Sequence, residues 1–566
     1  MMASQKLLPA QVDTVIIGNG PSALILSYIL NGNIPYYNPS NPHPDPIIHQ
    51  KLLQSPALLD VNVADLTAHF AASRLSYLTQ ALPINVLLDT LLRPLADTHP
   101  GEHKTCVEWH HEGRKRVPHV VLGNTTQAGG QWADNPVSAS WDIGTLSYAE
   151  MLSLPGYTFE CHYHRVNGKQ APDFYRPTRR EVASYLAMYP EMVNISDSIF
   201  TNTEVKGVCR LADGFHIASP MIRCTHLVLA SGIFTSLIPP RPLLQPLAAL
   251  LPSPPTSSAP LFVIGSGFSA ADIIISTSPG RKIVHIFKWD PDDHPSPLKA
   301  CHPRAYPEYA SVYRHMRIAA RKAIDVHDAT TPFGLKKCNP FFAQRDWDDT
   351  YEGLPNTVIK DVTVRKDVAS ITLEGRRGQV FDREVSAMDY VVGRRGSLRF
   401  LERNLSSEVI GVHQDMISGR TLRAKAKESL QVAPNVFIIG SLAGDSLIRF
   451  AFGGCISAAH NIVRYSEQQD HRLTIEAGIF ARAKADIPSQ LLDHIKHNHL
   501  NNEYLLSNGH SDLGIDKKTR ALSMNLEIRK CEIWRESGWW AGGCILITFM
   551  ALLALSSRSF GFIPGF

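Results

Sequence analysis

Short apolar runs that stop at small residues recur along this chain, and several are followed by a helical apolar pattern. Thr14-Val15-Ile16-Ile17 runs into Gly18-Asn19-Gly20-Pro21-Ser22-Ala23, and a mostly apolar stretch continues to Leu30. Leu261-Phe262-Val263-Ile264 repeats this, running into Gly265-Ser266-Gly267-Phe268-Ser269-Ala270 and a second apolar helix. Further strand-like runs are Ile34 to Tyr37, Val117 to Leu122, Leu227-Val228-Leu229, Ile283 to Phe287 and Asn435 to Ile439. Continuous apolar runs bounded by glycine read as buried parallel strands, and their alternation with helices predicts an α/β fold. Asp389 to Gly393 is a further run, expected to return the chain to the first domain.

Between these runs the pattern loosens. Residues 39 to about 117 read as an insertion: Pro39, Pro42, Pro44 and Pro46 interrupt regular structure, and Ile84 to Leu92 is an apolar helical patch ended by Pro94. His110 to Arg116 reads as a solvated polar turn. Thr178 with Glu181 three positions on predicts a capped helix start; Arg179 and Arg180 fall in its first turn, which is expected to be solvated. The Pro- and Ser-rich stretch 239–260 reads as a crossover linker. Ile371-Thr372-Leu373 belongs to an alternating strand. Near the end, Trp539 to Leu555 is uncharged and apolar all round; as a helix it spans roughly 25 Å, the short limit for a bilayer. Basic residues precede it and only Arg558 follows, which would keep the large domain on the cytoplasmic side as a tail-anchored protein.

Bulk properties narrow the function. A length of 566 residues accommodates two or three domains, and a net charge of +4 with dispersed basic residues argues against a nucleic-acid partner. Nine scattered cysteines fit reduced thiols rather than a disulfide framework, and the start of the chain carries no secretory pattern. His494, His497 and His499 lack carboxylate or cysteine partners in the pattern, so no metal site is expected.

The chemistry is concentrated in the glycine turns. In a strand–turn–helix setting, G-x-G-x-x-A lets backbone approach a pyrophosphate and presents free N–H groups at a helix start. Gly18, Gly20 and Ala23 form one such set and Gly265, Gly267 and Ala270 another. The strand after such a unit usually ends in an acid that binds the ribose; here Asn38 holds that place in the first unit and Lys288 in the second, where a cation suits a 2′-phosphate and so NADP. Gly129, Gly130 and Trp132 form a Gly-Gly-x-Trp that would lie beside a flat cofactor. Asp445, after the last strand, is placed to accept hydrogen bonds from a sugar-alcohol chain.

In this order, the two fingerprints, Gly129-Gly130-Gln131-Trp132 and Gly444-Asp445-Ser446-Leu447-Ile448-Arg449-Phe450 resemble the two-dinucleotide-domain flavoproteins. Among these the chain is similar to flavin-containing monooxygenases and amino-acid N-hydroxylases, and over about residues 10–470 it resembles the oxidative stress-induced growth inhibitor family; Pro118 to Gly123 also carries that likeness. The resemblance implies two Rossmann-like dinucleotide-binding domains, the second inserted in the first. The FAD-binding domain would occupy 10–250 and resume at 385–470, and the NADPH-binding domain 255–384. A polar region would follow at 471–537, and a candidate transmembrane helix at 538–557. It implies FAD at Gly18, Gly20 and Ala23, with Gly129, Gly130, Trp132 and Asp445 around it, and NADPH at Gly265, Gly267 and Ala270; the strand-end positions add Asn38 to the first set and Lys288 to the second. The implied activity is an FAD- and NADPH-dependent oxidoreductase, a monooxygenase of a soft nitrogen, sulfur or carbonyl centre with a small-molecule substrate and oxygen. The other reading is a weakly active or non-catalytic regulator of growth or oxidative stress. No catalytic side chain is assigned. The stretch from Thr235 to Pro260 departs from the monooxygenases in lacking their Phe-x-Gly-x-x-x-His signature.

Overall fold

A computed structural model describes residues 6–60, 65–66, 68, 81–94, 104–134, 137, 139–248, 259–324, 345–366, 368–411 and 416–485. The chain divides into two compact units, Met1–Arg472 and Leu473–Phe566; of the second, only the helical backbone of residues 473–485 is described. The apolar run 538–557 and the histidines at 494–499 lie outside the described residues. Among the described residues, no helix is long and apolar enough to cross a membrane.

The first sheet is built around β1 (Gln11–Ile17), whose Val15 and Ile16 are fully buried. It leads into α1 (Pro21–Leu30), buried from Ala23 to Leu30, so this helix is a core element with no wet face. Each large apolar side chain buried here contributes on the order of 2 kcal/mol relative to exposure. Before the chain returns to the sheet it makes β2 (Asn33–Tyr37), α2 (Pro46–Gln54), α3 (Pro83–Leu92) and β3 (Val107–His111). β2 pairs antiparallel with β3, Asn33 opposite His111, in a separate two-stranded sheet. The strand that pairs parallel with β1 is β4 (His119–Leu122), with Ile17 opposite Leu122. The insertion therefore begins with β2 itself, not at residue 39. Its α3 is the apolar patch read from the sequence.

After α4 (Arg179–Met192), whose Thr178–Glu181 capping box is formed, β5 (Ile199–Phe200) adds beside β4. The antiparallel β6 (Lys206–Leu211) and β7 (Gly214–Ser219) lead to β8 (Ile222–Leu229), which pairs parallel with the other side of β1.

The second sheet lies in sequence between the parts of the first. It comprises β9 (Leu261–Ile264), α5 (Phe268–Ser276), β10 (Ile283–Phe287), α6 (Pro307–Ile324) and β11 (Tyr351–Pro355). A three-stranded antiparallel sheet follows, of β12 (Val358–Arg365), β13 (Val368–Glu374) and β14 (Val380–Val385). Then β15 (Ala387–Tyr390) completes the second sheet, whose order is β11-β10-β9-β15, all parallel. This corrects the expectation for residues 389–393: Asp389 pairs with Val263, inside the second sheet. The return to the first sheet is made by β16 (Gln431–Ala433) and β17 (Val436–Ile438), the latter parallel to β8. The first sheet thus runs β16-β17-β8-β1-β4-β5, and α7 (Phe452–Ala485) closes the described chain. A strand–helix–strand order of 3-2-1 beside a reversal on the far side of the first strand is the doubly wound arrangement, and the parallel part of both sheets has it.

Candidate functional site

At the carboxyl end of β1 the backbone makes a tight turn. Gly18 has φ +113°, and a Cβ there would sit 2.4 Å from the carbonyl oxygen of Ala230 at the end of β8. Gly18 N–H donates to Leu122 O at 2.8 Å, and Ala230 N–H donates to Ile17 O at 2.8 Å, so three strand ends converge on this residue. Gly20 caps α1 in extended backbone with no side-chain cap, and a Cβ built on it would have nothing within 4 Å. The first turn of α1 carries no acid, so its free N–H groups and positive dipole end face the open space beyond Gly20. Gly130 (φ +57°) closes against this turn, with a Cβ there 3.1 Å from Gly20 Cα, and Gly129 N–H donates to Asn19 O at 2.9 Å.

Gly18, Asn19, Gly20 and Gly130 line a cavity of about 660 Å³ that continues past the ends of β4, β8 and β17. Ser231, after β8, is on its wall, and its buried hydroxyl has no hydrogen-bond partner among the described residues. Ser441 lies on the same wall, where its Oγ accepts from Ile233 N–H at 3.2 Å.

The predicted residues separate into groups. Gly18, Gly20 and Gly130 meet on the cavity wall. Ala23 and Gly129 stand behind it: Ala23 is fully buried in α1, and Gly129 packs toward Leu186. Trp132 is off the wall, with its ring 5.7 Å from the Arg179 guanidinium carbon. Asn38 is displaced, because it follows β2 and β2 is not in the main sheet. Its N–H donates to Cys106 O at 2.8 Å and its amide to Glu108. The place beside the dinucleotide turn belongs instead to the end of β4, at Gly123.

Asp445 is also displaced from its expected role. Its side chain is fully buried, accepting from Leu82 N–H at 2.8 Å, Asn85 Nδ2 at 2.6 Å and Arg423 Nη1 at 2.9 Å. Strand β17 has already ended by Ile438, so the residues after the last strand that reach the cavity are Ile439, Gly440 and Ser441. Asp445, four positions later, clamps α3 of the insertion to the segment before α7. A second clamp lies alongside: Asp89 of α3 pairs with Arg93 at 2.6 Å and with Arg449.

The second glycine turn repeats the geometry of the first. Gly265 has φ +153°, and a Cβ there would be 2.5 Å from Val391 O; Gly267 caps α5, its nearest neighbour Pro297 Cγ at 4.0 Å. Ala270 is buried in α5, and Lys288 is exposed just after β10. His285 pins this turn from β10. Its Nε2 is 2.6 Å from Gly265 O and its Nδ1 2.8 Å from Tyr351 Oη, and burial pulls its pKa down to about 4. The ring is therefore neutral, donating from Nε2 to the carbonyl and accepting the phenol proton at Nδ1.

Arg180 is solvated and paired with Asp142 at 2.8 Å, as its place in an exposed first turn suggests, but Arg179 is not solvated. Its guanidinium carbon lies 5.4 Å from the Trp141 ring, it donates to Gln131 O, and its buried Nε has no partner among the described residues. Burial first, then the Arg394 charge, lowers its pKa to about 10, which leaves it cationic at neutral pH. Burial likewise raises the Asp272 carboxyl on α5, which accepts from Tyr309 Oη at 2.8 Å. Arg179 and the buried histidine left no local mark in the sequence beyond residue type. Among the described residues, no group of three or more His, Cys, Asp or Glu is placed to hold a metal.

Two sheets with parallel centres, each with a glycine turn at the start of its first helix, define a two-dinucleotide-domain α/β architecture. The likeness read from the sequence holds, for the curated relatives are oxidative stress-induced growth inhibitors. Oxidative stress-induced growth inhibitor 1 of Mus musculus is 28% identical over 493 residues, 80% of this chain and 95% of the relative. Oxidative stress-induced growth inhibitor 2 of Homo sapiens is 24% identical over 531 residues, 82% of this chain and 95% of the relative. No family model matches. Similar solved structures include a flavin-containing monooxygenase from Stenotrophomonas maltophilia, 15% identical with a TM-score of 0.45, covering 81% of this chain and 99% of that one. Another is an ornithine hydroxylase from Pseudomonas aeruginosa, 13% identical with a TM-score of 0.40, covering 80% and 99%.

Proposed function

We propose that this chain is an FAD- and NADPH-dependent oxidoreductase, acting as a monooxygenase of a soft nitrogen, sulfur or carbonyl centre. The observation that carries the FAD assignment is the cradle at Gly20, where open space meets an uncapped helix start and Gly130 closes behind it. The cavity volume lies within the usual range for ligand sites, roughly 300–1,000 Å³. The orphaned Ser231 hydroxyl is a polar group in want of a ligand atom. Gly18, Gly20 and the N–H groups of α1 would hold the FAD diphosphate, Ser231 and Ser441 would hydrogen-bond its polar chain, and Gly265, Gly267 and Lys288 would hold NADPH. Bound flavin supplies two-electron transfer from a nicotinamide and onward to oxygen. The chain's part is to bind, orient and exclude water, and no side chain is required as a nucleophile.

The test is a visible spectrum of the purified protein reconstituted with FAD, followed by NADPH. Bleaching that recovers in air supports an oxidoreductase; a substrate-dependent fall in released peroxide separates oxygenation from simple oxidase turnover. A protein that takes up no FAD refutes the assignment. The alternative, a weakly active or non-catalytic regulator, is favoured by the absence of an acid at Gly123 and by the relatives' names; it predicts FAD uptake with no NADPH response. We further propose that residues 538–557 tether the chain to an intracellular membrane with the large domain on the cytoplasmic side; extraction of the full chain by alkaline carbonate would refute a spanning tail.

A further inference from the structure

The adenosine end of the cavity departs from the dinucleotide pattern in a way that the structure explains. An acid at the end of the second sheet strand ordinarily accepts the ribose hydroxyls. Here that strand is β4 and the residue is Gly123. Its neighbourhood leaves no room for a side chain: a Cβ on Gly123 would lie 2.1 Å from Asn19 Cγ, 2.3 Å from Asn19 Nδ2 and 2.6 Å from Asn19 Cβ. Asn19 is buried and held there by its own hydrogen bonds, from Nδ2 to Thr125 Oγ1 at 2.8 Å and to Gln127 O at 3.2 Å. The Gly123 backbone is fixed as well, its N–H donating to Phe200 O at 2.9 Å and its carbonyl accepting from Thr203 N–H at 2.8 Å.

Other acids reach the wall. Glu204 pairs with Lys206 at 2.7 Å, with both side chains about two-thirds exposed (66% and 64%). Asp134 stands one turn beyond Gly130, its N–H donating to Gly130 O at 3.3 Å.

We propose that Asn19 excludes the ribose-binding carboxylate from the end of β4, so that the cavity holds its adenine dinucleotide as an exchangeable ligand rather than a resident group. This rests on the FAD reading of the cavity. The middle residue of the first glycine turn then sets cofactor retention: its amide ties the turn to the 125–127 segment and occupies the volume an acid would need. Ribose hydroxyls entering this end meet amide and hydroxyl groups at the end of β4. The charge-assisted hydrogen bonds of a strand-end carboxylate, which make such sites tight, are missing.

The test is a variant cycle on the full chain, with the FAD dissociation constant read by flavin fluorescence and folding checked by circular dichroism. Gly123→Glu alone is expected to destabilise the protein or weaken FAD, because its Cβ collides with Asn19. Asn19→Gly removes all three colliding atoms and is expected to fold. The double variant Asn19→Gly/Gly123→Glu is expected to fold and to bind FAD roughly ten-fold or more tightly than the parent, the gain of an added charged acceptor. Glu204→Gln is expected to leave the constant within about three-fold, as for an exposed ion pair. A double variant that folds but binds no tighter overturns the proposal while leaving the FAD reading intact. So does a large loss of affinity in Glu204→Gln, which would make Glu204 the missing carboxylate. If neither the parent nor any folded variant binds FAD, the FAD reading itself fails, and the proposal with it.

Discussion

Replacing Asp445 by Asn separates a structural role from a cofactor role at one residue. The carboxylate has no exposed surface and accepts three hydrogen bonds, from Leu82 N–H, Asn85 and Arg423. An amide of the same shape carries one acceptor oxygen and a donor NH₂, so at least one of these three donors would face another donor. Removing one partner of a buried ion pair costs about 3–5 kcal/mol. Arg423 keeps 21% of its side chain in water, which lets it recover some hydration, so about 2–3 kcal/mol is expected. The assay is urea unfolding of the flavin-free protein, comparing midpoints of the transition that reports the first unit. The expected result is a clear downward shift without flavin, with the FAD constant of the still-folded fraction little changed. An unchanged midpoint accompanied by weakened FAD binding would refute the reasoning and restore Asp445 as a ligand.

Gly18→Ala is expected to destabilise the apo protein by about 2–4 kcal/mol, since φ is +113° and the methyl would meet Ala230 O at 2.4 Å; differential scanning fluorimetry checks this, and a near-neutral variant would contradict the converging strand ends. Stability is also expected to fall on acidification between pH 6.5 and about 4. His119 and His285 are buried, and loss of hydration depresses each to about 4, so the unfolded chain takes up protons first as the pH drops. Each contributes on the order of 3 kcal/mol above pH 6.5 that is lost through this window, and His285→Gln should flatten part of that slope in urea titrations at stepped pH.

Both strand–turn–helix units were legible because everything that makes them is local: an apolar run, two glycines and a small residue within ten positions. Asn38 was misplaced because β2 has the length and position of a second sheet strand, directly after α1. Its actual partner, Val107–His111, is about seventy residues away, and an antiparallel pair that remote leaves no mark on either strand. The clue was Pro118 to Gly123, a full apolar run just ahead of Gly129-Gly130. Asp445 lies too far past the strand to face the cavity: β17 ends at Ile438, so Ile439 to Ser441 take that place. The strand at 387–390 shows the same limit, since pairing with β9 rather than the first sheet is a tertiary choice. Arg179 reads as solvated in the sequence because it falls in the first turn of a capped helix; the two tryptophans beside it come from residues 132 and 141, about forty to fifty positions earlier, too far to mark that turn locally.

The central claim is that the turn at Gly18–Gly20 holds the diphosphate of a flavin dinucleotide. The most direct measurement is the FAD dissociation constant of the parent and of Gly20→Asp, with thermal stability of both apo proteins as the control. Because a Cβ at Gly20 meets nothing within 4 Å, the variant is expected to fold as stably as the parent. Its carboxylate would stand where the diphosphate belongs, so FAD binding should fall by at least about 100-fold through charge repulsion and occlusion. A Gly20→Asp protein that folds and binds FAD as the parent does would contradict the account.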